Sequence, residues 1–195
     1  LDNSEKPLSA DLVVCNADPP FVYEHLLDFP QRKRWSNWRL RQLRYSMGLF
    51  VLYFGTTRQY PEVAHHTITM GPRYKELLSD IFHKKHLATD MSLYLHRPTA
   101  TDPTMAPAGC DTFYVLSPVP NNLSGINWDE VGPRYRDAVV KELERTLLPG
   151  LSECIKEDFF VTPDYFEQEL LTRHGTGFSI QPLFTQSANF RFHNK

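Results

Sequence analysis

Residues 92–120 read SLYLHRPTATDPTMAPAGCDTFYVLSPVP. Two strand-like runs, residues 91–96 and 112–119, flank an excursion that carries Pro98, Pro103 and Pro107. Each proline fixes φ and removes a backbone donor, so neither a helix nor a central strand can run through it. In the first run Met91, Leu93 and Leu95 fall on one face, as a period of two demands. The stretch is therefore strand, stiff irregular excursion, strand. Long non-repetitive connections of this kind shape or cover a site. His96 and Asp102 are placed to fasten this one.

Outward from this stretch, further strand-like runs occupy residues 11–15, 48–54, 65–70 and 178–184. Four helices begin at prolines, where the first helical residue tolerates the missing donor. Pro19 opens Val22, Leu26 and Leu27. Pro72 opens the stripe Tyr74, Leu77, Leu78, Ile81 and Phe82, and Pro133 opens Tyr135, Val139, Leu143 and Leu147. Pro163 opens Phe166 and Leu170, with Gly175 placed to close that helix. Strands follow one another without strict alternation with helices. That order predicts an α+β fold, a mostly antiparallel sheet with helices on one side. Residues 11–15 differ, being a continuous apolar run that leads into a helix. They read as the remnant of an α/β nucleotide-binding domain at the N-terminus.

Composition excludes more than it assigns. A net charge of −2 over 195 residues argues against a nucleic-acid partner. Cys15, Cys110 and Cys154 show no CxxC spacing, so reduced thiols in a cytoplasmic setting are expected. No apolar run approaches the roughly 20 residues of a membrane span. Phosphate-cradling glycine motifs, nucleophile elbows and zinc-protease motifs are all missing. His65 and His66 are adjacent strand positions, which face opposite sides, so no metal site is expected there. His83, Lys84, Lys85 and His86 suit a helix C-terminus. Residues 31–45, QRKRWSNWRLRQLRY, carry six cations and no acid. This run fits a solvated helix face, an RNA-binding stripe, or a membrane-docking face in which Arg39, Arg41 and Arg44 meet headgroups while Trp35 and Trp38 sit at the boundary.

A set of short motifs resembles the bacterial-type phytoene desaturases, flavoproteins of the amine-oxidase-like class. They include residues 93–96 (LYLH), Thr101-Asp102-Pro103, Ala106-Pro107 and residues 114–120. In the same order as in that family stand residues 49–55, Ala64-His65-His66-Thr67, Gly71-Pro72-Arg73-Tyr74, Gly132-Pro133, Leu148-Pro149-Gly150-Leu151, Thr162-Pro163 and Thr185-Gln186-Ser187-Ala188. Phe192, Asn189 and Gln181 depart from the family's usual residues, all toward the C-terminal end.

The resemblance implies an FAD-dependent desaturase of carotenoid biosynthesis that introduces double bonds into phytoene by hydride transfer to flavin. It implies further that residues 1–18 end an FAD-binding domain, with Asn16 and Ala17 near the cofactor. Residues 19–190 are then the substrate domain, and residues 191–195 return toward a second flavin-binding segment. Leu1 in place of Met and the abrupt end agree with a piece of a longer protein, inactive by itself. An apolar tunnel for phytoene and later carotenoids is implied, with Tyr53, Phe113, Phe178 and Phe190 along it. His66 and His96 are candidates for the group that takes the proton. Phytoene dissolves in bilayers, which favours the membrane-docking use of residues 31–45 and a peripheral place on the bacterial inner membrane. A non-enzymatic carotenoid- or lipid-binding module, or an enzyme acting on a later carotenoid, would share these features.

Overall fold

The computed structural model describes residues 8–28, 32 and 35–192. Residues 1–7, 29–31, 33–34 and 193–195 lie outside them, and with them Lys33 and Arg34 of the basic run and most of the C-terminal return. Five strands form one sheet: β1 Gly48–Thr56, β2 His66–Thr69, β3 Leu93–His96, β4 Asp111–Val119 and β5 Ile155–Val161. Their order is β2-β3-β4-β1-β5, and every pairing is antiparallel. The α+β expectation holds.

Period-two alternation sorts the sheet into two faces. One face carries Phe50, Leu52 and Phe54 from β1, Leu93 and Leu95 from β3, and Phe113, Val115 and Val119 from β4. Against it lies helix α4, Trp128–Thr146, presenting Trp128, Tyr135, Val139, Val140 and Leu143. (Shorter helices are α1 Pro19–Phe21, α2 Asn37–Gln42, α3 Tyr74–Ser79, α5 Leu151–Cys154 and α6 Pro163–Gln168.) Each large apolar side chain sealed here contributes about 1.5–3 kcal/mol. The Tyr135 hydroxyl, buried with them, is 2.7 Å from the Ser117 hydroxyl, and burial pushes its pKa up to about 12.

Helix α4 begins at Trp128, five residues before the proline that the sequence pattern picks as its start. Two contacts hold that first turn. Trp128 is buried against Phe50, and Gly132 lets the Phe160 ring close in, since a Cβ there would stand 2.9 Å from it. Pro133 is carried inside the helix as a result. Gly175 also serves otherwise than expected, because α6 ends at Gln168. Its φ is +64°, and a Cβ would meet the Pro163 carbonyl oxygen at 2.2 Å. It is a point of close backbone approach, which excludes any side chain.

Two predicted strands are corrected. Residues 11–15 form no strand: they are irregular, with Leu12, Val13 and Val14 exposed. A strand exists by pairing, and among the described residues none runs beside this segment. Residues 178–184 form no regular strand either. The chain runs past residues 44–48, with Gly177 N–H donating to Met47 O and Gln181 N–H to Arg44 O. Ser179, at φ +60°, breaks the ladder between them.

Candidate functional site

The second face of the sheet carries Tyr53 from β1, Tyr94 and His96 from β3 and Tyr114 from β4, the positions of opposite parity to the core residues. Strand register sets one row of rings across it. His66 pairs with His96, His96 with Tyr114, Tyr114 with Tyr53, and Tyr53 with Phe159. Every strand thus contributes one ring to a single rung. The Tyr53 and Phe159 rings stack at 4.8 Å and 12°. Tyr53 and Tyr114 are 5.7 Å apart, Tyr114 and His96 4.7 Å, and His96 and His66 5.0 Å. The neighbouring rung is Ile68, Tyr94, Leu116, Val51 and Val161. Adjacent strands place such side chains close enough to form one continuous surface. Tyr53 is 36%, Phe159 61% and Ile68 68% exposed, so these members face outward, whereas Val51 in the middle of the neighbouring rung is covered.

One end of the rung is polar. The Nε2 atoms of His65 and His96 are 2.7 Å apart, and the His65 ring stacks on His66 at 4.3 Å. His66 Nδ1 lies 2.7 Å from the Tyr94 hydroxyl, and His65 Nδ1 contacts the Thr101 hydroxyl. Burial, assisted by His65 and then His66, lowers the His96 pKa from its ordinary value. Burial pushes Tyr114 up to about 12, with the Tyr94 hydroxyl adding. An imidazole nitrogen with a free lone pair can take a proton or ligate a cation. The argument that His65 and His66 face apart fails because His65 precedes β2, where strand alternation does not yet apply.

The proline excursion hangs from this end, on a buried clamp that the sequence analysis did not single out. Arg97 Nε donates to Asp111 Oδ2 at 2.9 Å and Nη2 to Oδ1 at 3.2 Å. The Thr99 hydroxyl donates to Oδ1 at 2.6 Å, and Tyr60 N–H to Oδ2 at 2.7 Å. Arg97 Nη1 also holds the Val63 carbonyl at 3.1 Å. The ends of the excursion are therefore fastened by Arg97, Thr99 and Asp111. Asp102 instead caps an inner turn, accepting from the backbone N–H and hydroxyl of Thr104. Those bonds hold its carboxyl below the usual range.

The predicted wall residues separate. Tyr53 is central to the open face. Phe113 is not on that face: it is 2% exposed in the core, stacked on Phe54 at 5.1 Å, because its position in β4 has the opposite parity to Tyr114. Phe178 and Phe190 are exposed on the C-terminal segment and do not join the rung. Tyr114 and Phe159 do join it, with Tyr94 on the rung beside it, and sequence reasoning passed over all three.

The basic run also divides. Trp35 is not a boundary residue, since it is 3% exposed in a cluster with Tyr23, Leu40 and Phe192, and Arg39 lies over its ring at 4.9 Å. Trp38, at 72%, stands exposed on α2, and Arg41 and Arg44 are exposed beside it. Asn16 is exposed and Ala17 half-buried within the irregular segment. With no strand leading to a glycine turn and helix there, the described residues offer no cradle for a dinucleotide.

No family model matches the chain. Curated proteins do. Over 199 residues covering 100% of the chain, it is 49% identical to the phytoene desaturase (neurosporene-forming) of Rhodobacter capsulatus. It is 43% identical, over 94% of the chain, to the phytoene desaturase (lycopene-forming) of Pantoea ananas. It is 37% identical, over 96%, to the zeta-carotene-forming phytoene desaturase of Myxococcus xanthus. The chain spans 38%, 37% and 36% of the lengths of these three relatives.

Proposed function

On the premise that this chain belongs with the bacterial phytoene desaturases over the segment it shares with them, we propose that its open sheet face is the hydrocarbon-binding wall of a carotenoid desaturase. The carrying observation is the rung of rings contributed by all five strands. Phytoene and later carotenoids are long hydrocarbons without polar handles. Their binding rests on apolar area removed from water, roughly 25 cal/mol per Å². Five strands about 4.8 Å apart carry the rung across roughly 19 Å, the scale of an extended polyene segment. Flat aromatic faces in register hold such a chain straight and exclude water from it.

The oxidant is FAD, which supplies hydride-accepting chemistry when bound. Its binding elements would be other than the residues described. What this chain supplies is the wall and, through the clamped proline excursion, a stiff rim beside its histidine end. The exposed Trp38, Arg41 and Arg44 form the docking face toward the cytoplasmic leaflet of the inner membrane, from which the substrate enters. Replacing Arg41 and Arg44 together by Gln weakens binding to vesicles rich in anionic lipid by roughly 2 kcal/mol, near 1 kcal/mol for each charge removed. Co-sedimentation measures it, and unchanged binding refutes the docking face.

The desaturase is tested by expressing the full-length protein in cells that accumulate phytoene. Coloured polyenes, with flavin absorbance in the purified protein, are expected. Unchanged phytoene beside a folded, flavin-free protein overturns the enzyme and favours a carotenoid-binding module. Colour formed only from a later carotenoid moves the substrate along the series.

A further inference from the structure

We propose that His65, His66 and His96 form a binding site for a divalent cation of the zinc type, at the junction of the edge strand β2 with β3. One ring nitrogen from each residue lies within 4.8 Å of those of the other two. Around tetrahedral zinc, with Zn–N near 2.0–2.1 Å, ligand nitrogens stand about 3.3 Å apart. Small ring rotations bring these three to that spacing. The site stands independently of the desaturase proposal.

The groups behind the rings support ligation. The Tyr94 hydroxyl at His66 Nδ1 and the Thr101 hydroxyl at His65 Nδ1 can each accept the Nδ1 proton. The lone pair is then on Nε2 in both rings, the arrangement that outer contacts impose on metal-binding histidines. With a cation on His96 Nε2, the ring proton of His96 is on Nδ1, which is buried with no hydrogen-bond partner among the described residues. Two Nε2 atoms at 2.7 Å require a proton between them, and a cation between His65 and His96 takes over its bridging place.

Three neutral imidazoles favour Zn²⁺, Cu²⁺ or Ni²⁺ over Mg²⁺ and Ca²⁺, which prefer oxygen ligands. Three protein ligands leave a fourth position for water. The bound cation ties the residue before β2, the first residue of β2 and the last residue of β3. Among the described residues β2 is a four-residue edge strand paired with β3, so this pins one edge of the sheet, at the histidine end of the rung.

The test titrates zinc into the full-length protein against a chromophoric chelator, with zinc-edge X-ray absorption to count imidazoles. One tightly bound equivalent with three imidazole ligands is expected, undisturbed by excess magnesium. His66→Gln and His96→Gln should each weaken it by at least about a hundredfold, and Tyr94→Phe by about tenfold. Because His66 is exposed, His66→Gln remains informative where His96→Gln compromises folding. A wild-type protein that takes up no stoichiometric zinc, or a His66→Gln variant with wild-type affinity, overturns the site.

Discussion

Replacing Asp111 by alanine lowers the unfolding free energy by about 3–5 kcal/mol, the scale expected when one partner of a buried ion pair is removed. The Asp111 side chain is 0% exposed and that of Arg97 8%. Deleting the carboxylate strands a guanidinium in the core and leaves Thr99 and the Tyr60 N–H without their acceptor. Unpaired buried donors cost more than the original bonds contributed, because the folded state then offers them neither water nor a partner. Against a total of about 5–15 kcal/mol for a typical domain, this is a large share. Chemical denaturation of wild type and variant measures it. A double replacement, Arg97→Met with Asp111→Leu, should recover most of the loss, since it removes both charges and fills the volume. Asp111→Ala at a cost below about 1 kcal/mol would mean that the pair is not what holds the excursion.

That clamp was within reach of the sequence. Leu93, Leu95 and Arg97 share one parity, as do Asp111, Phe113 and Val115. Each strand therefore aims a charge of opposite sign into the face that its leucine, valine and phenylalanine define as core. Reading only the apolar members of each alternation conceals the pair. The same alternation made the central strands and the α+β class legible, and it excludes Phe113 from the open face once Tyr114 is placed there.

Register was not legible. Which residue of β4 lies opposite His96 depends on how a fourteen-residue connection folds between β3 and β4, and that connection has no turn signature to fix it. Without register, the rung is five unrelated rings. Strand β5 escaped for another reason. Its sequence IKEDFFV puts Lys156, Glu157 and Asp158 in succession, because the strand lies at the sheet edge with Asp158 turned to Arg136 of α4. Its alternation is blurred by solvent on one side and an ion pair on the other. Residues 11–15 erred the opposite way. Apolar composition alone suggested a strand, although among the described residues no strand pairs with it.

Introducing a charge at the middle of the rung gives the largest expected effect on turnover. If phytoene lies on this face as proposed, Tyr53→Asp should lower kcat/KM for it by at least about a hundredfold near neutral pH, because substrate covering the face would strip water from an unpaired carboxylate. Two decades correspond to about 2.7 kcal/mol, well inside the cost of burying an unpaired charge. The sign of the pH dependence follows. Under substrate the carboxyl pKa is raised, so the neutral acid binds better, and the deficit relative to wild type at the same pH should shrink as pH falls. Tyr53→Leu keeps the face apolar and should stay within about tenfold of wild type. Folding is not the cause of the loss in this design, since Tyr53 is partly exposed and its cross-strand contacts carry only about 0.2–1 kcal/mol each. Phe113→Ala provides the contrast. Its ring is in the core, so it should cost about 3–5 kcal/mol of stability, while the protein that remains folded keeps its turnover. Were Tyr53→Asp to desaturate phytoene at the wild-type rate, the substrate would not lie on this face. The rung would then be a surface that some other part of the molecule covers.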